Sequence, residues 1–174
     1  MKNYYLFALT SMAVIVLACQ PHAQPMPFGY DYGGGSGVVT GEVTVPYTES
    51  GGVRTVQVKI NDCTEFPMIF DTGCSGLSIS AAEVYVLSKQ GCITAEDINN
   101  GKYEYATIAD GSIVQNMVIN LRSVRIGELV CYNVKASVSE NIEAPLLLGN
   151  GVLDRVASFT TDQRSKTVIF HLNQ

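Results

Sequence analysis

The feature that most constrains the fold is an alternation of apolar and polar residues with a period of two, which dominates the chain from Val38 onward. Successive side chains of a strand point to opposite faces, so this pattern predicts strands with one buried and one exposed face. The chain has 174 residues, of which 47% are hydrophobic and 16% charged, which is typical of one globular domain. The sequence therefore predicts an all-β domain over residues 38–174.

Turn signals divide this domain into strands. The glycines of Glu49-Ser50-Gly51-Gly52 favour a hairpin between residues 43–45 and 56–60, and Asp110-Gly111 favours another. Residues 66–70 are an apolar run without a polar face, which predicts a strand buried on both sides. The other predicted strands are residues 103–108, 113–119, 121–126, 129–138 and 167–172.

Two short helices are predicted beside these strands. Ser80 with Glu83 three residues later has the pattern of a capping box, and Gly91 is a typical residue at which such a helix ends. A second helix is predicted near residues 152–156.

The N-terminus has the pattern of an export signal. Lys2 is followed by an apolar run that ends in Val16-Leu17-Ala18-Cys19 and is short for a transmembrane helix. This end resembles a bacterial lipobox, so we expect residues 1–18 to be a signal peptide and Cys19 to be lipidated. The alternative is an ordinary secretory signal cleaved nearby, for example after Ala23. Lipidation predicts a location in the bacterial cell envelope, on a membrane that faces the periplasm or at the cell surface.

Residues 19–37 separate the signal from the domain. They are rich in Pro, Gly and Tyr and end in Gly33-Gly34-Gly35-Ser36-Gly37, a composition that cannot bury a core. We interpret them as a flexible tether. Phe28, Tyr30 and Tyr32 leave open the alternative of a binding motif.

Charge and the positions of the histidines argue against two classes of function. The formal net charge is −5, and loss of Lys2 with the signal would make the protein more acidic, so no nucleic-acid partner is expected. His22 and His171 are far apart in sequence, and the cysteines lack Cys-x-x-Cys spacing, so no metal site is expected.

If Cys19 carries the lipid, the remaining cysteines are Cys63, Cys74, Cys92 and Cys131. An even number in an exported protein is typical of disulfide formation. The sequence itself leaves three pairings open.

Asp71-Thr72-Gly73 is the segment with the clearest chemical meaning. It directly follows the apolar run of residues 66–70, so the Asp71 carboxylate is expected at a strand end with little solvent around it. The tripeptide alone is weak evidence, because these residues commonly form a simple turn. Its context carries more information.

That context resembles the retropepsin-like aspartic proteases, in order from about Val43 to Phe170. Residues 66–80, FPMIFDTGCSGLSIS, resemble the family's apolar strand, Asp-Thr-Gly loop and following strand. Residues 107–111 resemble the flap, a hairpin that closes over substrate. Residues 124–138 resemble the strand pair after the flap, and residues 145–153 resemble the strand and helix that support the catalytic loop.

The resemblance implies a fold and site residues. The fold would be an acid-protease-like closed β-barrel lobe with one or two short helices. Asp71 would be the catalytic carboxylate, Thr72 would hydrogen-bond across two paired loops, and Gly73 would let the backbone approach the site closely. The substrate-binding residues of the flap would be Ala109, Asp110 and Gly111.

The resemblance also implies a homodimer that hydrolyses peptide bonds without a cofactor. The chain has one Asp-Thr-Gly and no internal repeat, so a second copy must provide the second carboxylate. Asp110 and Asp154 are the internal alternatives, but a turn and a helix surface explain them better.

The chain departs from the family at two sites, and the resemblance also bears on the cysteines. Cys74 stands where the family usually has Ala or Ser, and beside the nucleophilic water it would either shape a pocket or be open to oxidation. Asn150-Gly151 replaces a bulkier pair, so we expect a looser start of the helix that follows. The resemblance also places Cys63 and Cys131 in neighbouring hairpin turns, which predicts a disulfide between them.

Two other functions would explain part of the sequence. A catalytically weak or inactive domain would bind peptides or a protein partner without cleaving them. A structural envelope lipoprotein would explain the signal and the β pattern but not the ordered resemblance. We therefore predict an aspartic endopeptidase whose partners are a peptide substrate, a second copy of itself and, through its lipid, a membrane.

Overall fold

The computed structural model describes residues 41–99, 101–107 and 111–172. The elements in these residues are, in chain order, β1 Glu42–Pro46, β2 Thr48–Ser50, β3 Val53–Ile60, β4 Thr64–Phe70, β5 Leu77–Ser80, α1 Ala81–Lys89, α2 Ala95–Asn99, β6 Lys102–Thr107, β7 Ile113–Ile126, β8 Leu129–Ser139, β9 Leu147–Leu148, α3 Asn150–Leu153, β10 Ser158–Asp162 and β11 Thr167–His171. Strands dominate, so the prediction of an all-β class is confirmed. The predicted signal peptide, Cys19 and the tether lie outside the described residues.

The strands form two sheets. The larger sheet has the order β2-β3-β4-β9-β5-β8-β7-β6, and β3 also pairs with β7. This additional pairing sets Lys59 opposite Arg125 and Ile60 opposite Val124, and it completes a ring of paired strands from β3 through β4, β9, β5 and β8 to β7. The smaller sheet has the order β1-β11-β10, so it joins the first and last described strands.

The period-two alternation explains how these strands build a core. In β3, Val56, Val58 and Ile60 are buried, whereas Gln57 between them is exposed. Full burial of an aliphatic side chain of this size stabilises the fold by about 1.5–3 kcal/mol. The largest fully buried side chains are Phe170, Ile60, Met68, Leu77, Ile79, Leu87, Ile119, Leu121, Ile126, Leu129, Leu148 and Val56.

Helix α1 begins at the predicted capping box. The Ala82 N–H donates to Ser80 Oγ at 3.1 Å, and the Ser80 N–H donates to Glu83 Oε2 at 3.0 Å, so two otherwise unpaired donors are satisfied. The helix ends before Gly91, whose φ of 72° is typical of a residue after a helix. Both predicted ends are confirmed. None of the helices in the described residues is long and apolar enough to cross a membrane.

Some strand pairings differ from the prediction. Gly51 and Gly52 form the predicted turn, with φ values of 60° and 80°, but the strand that pairs with β3 across it is β2. β1, which contains residues 43–45, pairs with β11 instead. β7 is one continuous strand where two were predicted, and β10 and α2 were not predicted. The polarity pattern of a strand does not determine which other strand it pairs with.

β4 has a solvent face, contrary to the prediction that residues 66–70 are buried on both sides. Within β4 only Met68 is fully buried, and Pro67 is exposed. β4 lies between β3 and β9, so both of its edges are paired. A central position in a sheet pairs both edges of a strand but does not cover both of its faces. An apolar run alone does not show whether only the edges are paired or both faces are also buried.

The disulfide joins Cys63 to Cys92, with Cα atoms 6.3 Å apart. Cys63 lies in the β3–β4 turn and Cys92 follows α1. Asn61 Nδ2 in the same turn donates to the Cys92 carbonyl at 2.8 Å, and an Arg122 guanidinium nitrogen donates to it at the same distance. The predicted pairing of Cys63 with Cys131 is therefore wrong.

Cys131 cannot take part because it lies inside β8 and not in a turn. It is opposite Val124 in the β7–β8 ladder, and it is 1% exposed. Burial raises the pKa of the Cys131 thiol to about 11, against a smaller opposite effect of Arg155. Cys131 is thus a neutral core thiol, and Cys74 is the other free cysteine in the described part of the chain.

We expect peptide mapping of the oxidised protein under non-reducing conditions to recover Cys63 linked to Cys92. Replacing either residue by Ser should lower the free energy of unfolding by about 2–4 kcal/mol, because the bond closes a loop with a sequence separation of 29. Urea titration with and without reductant measures this. Cys74→Ser is the matched control and should retain the full effect of reductant. Recovery of a Cys63–Cys131 peptide would contradict the assignment.

Candidate active site

The Asp71-Thr72-Gly73 loop connects two strands that do not pair with each other. β9 lies between them, parallel to β4 and antiparallel to β5. Ile69 is opposite Leu147 and Phe70 is opposite Leu148, whereas Leu77 in β5 is opposite Leu148 from the other side. The loop must therefore cross the end of β9.

Backbone bonds to β9 and the residue before it fix the point at which the loop begins. The Ile69 N–H donates to the Leu146 carbonyl at 2.8 Å, and the Asp71 N–H donates to the Leu148 carbonyl at 3.0 Å. Asp71 is thus the last residue held by the β4–β9 ladder. A side chain on a strand end is positioned more closely than one on a free loop.

The loop then turns back on the Asp71 side chain. The Gly73 N–H donates to Asp71 Oδ1 at 2.8 Å, and the Cys74 N–H donates to the Asp71 carbonyl at 3.3 Å. A Cβ at Gly73 would lie 3.2 Å from Oδ1, so a side chain there would press on the carboxylate. Asp71 is half-buried and Thr72 is exposed, which is more solvent than the sequence predicted for the carboxylate. In the single chain, this side of the loop is open.

The start of α3 is hydrogen-bonded to the loop. The Asn150 N–H donates to the Cys74 carbonyl at 2.9 Å, and Asn150 Nδ2 donates to the Thr72 carbonyl at 3.2 Å. A Cβ at Gly149 would lie less than 3.0 Å from the carbonyl oxygens of Gly76 and Cys74. Position 149 therefore accepts only glycine without movement of the backbone. The expectation of a loose helix start at Asn150 is wrong, because this residue is bonded through both its backbone and its side chain.

The other residues singled out in the sequence lie in different settings. Ala109 and Asp110 lie outside the described residues, and Gly111, which precedes β7, has a φ of 85°. Asp154 is the exposed C-cap of α3, which fits a structural role. Cys74 is half-buried, with Sγ 3.3 Å from the Gly76 carbonyl. Within the described ranges, no three His, Cys, Asp or Glu side chains converge as a metal site would require.

Sequence reasoning missed the hydrogen bond from Asn150 to the loop. The apolar run before Gly149 predicted a supporting strand and helix, but nothing local to Asn150 indicates that its amide reaches Thr72, 78 positions earlier. The bond exists because β9 brings the two segments together.

The fold resembles that of a solved retropepsin-like protease. The structure is similar to the crystal structure of a retropepsin-like aspartic protease from Rickettsia conorii, with a TM-score of 0.52 and 19% identity over 75% of this chain and 90% of that one. The chain belongs to the gag-polyprotein putative aspartyl protease family, whose model matches residues 56–155, a range that includes Asp71 and Gly149. No curated protein matches it.

We expect Gly149→Ala to lower the free energy of unfolding by about 1–3 kcal/mol, the usual effect of forcing a carbon atom into a packed site. Gly76→Ala is the control, because a Cβ at Gly76 would meet nothing within 4 Å. Chemical denaturation of both variants measures the difference. Equal stability of the two variants would contradict the close approach of Gly149 to the loop.

Proposed function

We propose that this protein is an aspartic endopeptidase that acts as a homodimer, with Asp71 of each subunit as its catalytic carboxylates. The observation that carries the proposal is the geometry of Asp71 in a chain of the aspartyl protease family: a carboxylate at a strand end, with Oδ1 accepting from the Gly73 N–H at 2.8 Å. That bond fixes the orientation of the carboxylate relative to its own loop.

The reaction needs two carboxylates about 3 Å apart that share one proton, because both cannot stay ionised at that distance. The ionised carboxylate removes a proton from a water molecule, which attacks the peptide carbonyl. The protonated carboxylate donates to the carbonyl oxygen and later helps transfer a proton to the leaving amine. No covalent intermediate and no cofactor are required.

A second copy is the natural source of the second carboxylate. The sequence contains one Asp-Thr-Gly, and a two-fold axis beside the loop would bring two identical Asp71 side chains together. The exposed Thr72 is next to Asp71 and would hydrogen-bond across this axis. The half-exposed Asp71 would become enclosed in the dimer.

The β6–β7 hairpin would act as the flap. Tyr103 and Tyr105 alternate along β6 and so share one face, and Ile113 shares it because it lies opposite Thr107. These three side chains are 63%, 76% and 70% exposed. An exposed apolar face of this kind is typical of a binding surface, so we propose that the substrate is an extended peptide with large apolar side chains near the cleaved bond.

We expect Asp71→Asn to abolish peptide cleavage while the dimer persists, because Asn keeps the shape of the side chain but can neither share the proton nor act as the base. Turnover of a peptide library and analytical ultracentrifugation measure the two properties. The wild-type specific activity should fall on dilution. Its pH dependence should be bell-shaped, with both limbs belonging to the pair.

Mixing tests whether each subunit contributes. Excess Asp71→Asn added to wild type should reduce activity by more than dilution does, because mixed dimers hold one carboxylate. Normal turnover by Asp71→Asn, or full activity of a strictly monomeric wild type, would refute the proposal. Peptide binding without turnover in the wild type would favour a catalytically inactive binding domain.

We also propose that Cys19 is lipidated and anchors the enzyme to a membrane of the bacterial cell envelope, on the basis of the apolar run that ends at Ala18-Cys19. In the native host, Cys19→Ala should move the protein from the membrane fraction to the soluble fraction and abolish labelling by a fatty acid. Unchanged labelling and fractionation would reject lipidation at this position.

A further inference from the structure

We infer that Asn150 is a positioning residue for the Asp71 carboxylate, acting through the peptide group between Thr72 and Gly73. Its effect on catalysis rests on the proposed protease function, but its effect on the geometry of the loop does not.

One rigid peptide plane connects Asn150 to Asp71. The Thr72 carbonyl and the Gly73 N–H belong to the same trans peptide group, which is planar and points its C=O and N–H in opposite directions. Asn150 Nδ2 donates to the Thr72 oxygen at 3.2 Å on one side, and the Gly73 N–H donates to Asp71 Oδ1 at 2.8 Å on the other. Rotation of this plane would break both bonds. The bond from Asn150 therefore also fixes the Gly73 N–H that donates to Asp71.

The chemistry at this position requires a hydrogen-bond donor. The Thr72 carbonyl can only accept, so a residue that holds it must donate, and the NH₂ of Asn does so without adding a charge beside the catalytic carboxylate. A carbonyl that accepts a hydrogen bond also makes the N–H of the same peptide a stronger donor. The bond from Asn150 therefore strengthens the contact from Gly73 to Oδ1 as well as orienting it.

The backbone that carries the Asn150 side chain is held in place by hydrogen bonds and by packing. Asn150 is the first residue of α3, and its N–H is bonded to the Cys74 carbonyl at 2.9 Å. Val152 and Leu153, which follow it, are 0% and 4% exposed. Arg155 Nε donates to the Gly151 carbonyl at 3.0 Å, and another Arg155 nitrogen donates to the Asn133 carbonyl of β8 at 3.0 Å, so the end of α3 is fixed to the sheet. The short Asn150 side chain is thus attached to a backbone segment that is fixed to the sheet.

The test compares Asn150→Ala, which removes the amide, with Asn150→Asp, which keeps its shape but sets a carboxylate oxygen against the Thr72 carbonyl. Both should lower kcat by about threefold to tenfold, the effect of losing one hydrogen bond, with Asp the more severe. KM should stay the same, because Asn150 acts through the Thr72 carbonyl and is assigned no contact with the substrate. In ¹⁵N-glycine-labelled full-length protein, the amide proton of Gly73 should shift upfield, as a weakened hydrogen bond requires.

Asn120→Ala is the matched control. It removes an exposed Asn amide that donates to Asn133 Oδ1 at 3.4 Å on the sheet, and it should change neither kcat nor the Gly73 resonance. If Asn150→Ala does not fold, the isosteric Asn150→Asp variant decides whether Asn150 positions the loop.

The two proposals fail in different ways. An unmoved Gly73 resonance in a folded Asn150 variant overturns the positioning role, as does a shifted resonance with wild-type kcat in an active enzyme. If the wild type cleaves no peptide but the Gly73 resonance moves as expected, the positioning role stands and the protease proposal fails.

Discussion

The insertion of β9 between β4 and β5 is the constraint on which the rest of the site depends. Because β9 separates the two strands, the segment between them has to pass over its end, and Asp71 becomes the residue at which the β4–β9 ladder stops. The same insertion brings Gly149 against the carbonyls of Cys74 and Gly76. A strand of two residues thus sets the position of a carboxylate that it does not contain.

Local signals in the sequence predicted the parts of the fold that depend on local physics. The capping box at Ser80 and Glu83 and the turn at Gly51-Gly52 need only a few neighbouring residues, and both lie where the sequence indicates. The pairing of β1 with β11 and the exposure of Pro67 depend on distant strands. The alternation that predicts a strand contains no information about its neighbour, so these features could not be read from it.

The disulfide and the Asn150 bond illustrate the same limit at the level of single residues. An even number of cysteines predicted that bridges form, but the pairing depends on which segments the fold brings together. Cys131 lies inside the β7–β8 ladder, whereas Cys63 and Cys92 meet where the β3–β4 turn lies beside the end of α1. Family resemblance located the Asp71 loop and its supporting strand. It did not indicate the hydrogen bond from Asn150 to Thr72, because a neutral amide acquires this role only in three dimensions.

The position of the disulfide in the chain has a consequence for the integrity of the site. Residues between Cys63 and Cys92 include β4, the Asp71-Thr72-Gly73 loop, β5 and α1, so the bond encloses the carboxylate and both of its flanking strands in one covalent ring. A single backbone cut within that ring opens it without releasing a fragment. Both sides of such a cut stay covalently attached to the same core, one directly through the chain and the other through the disulfide.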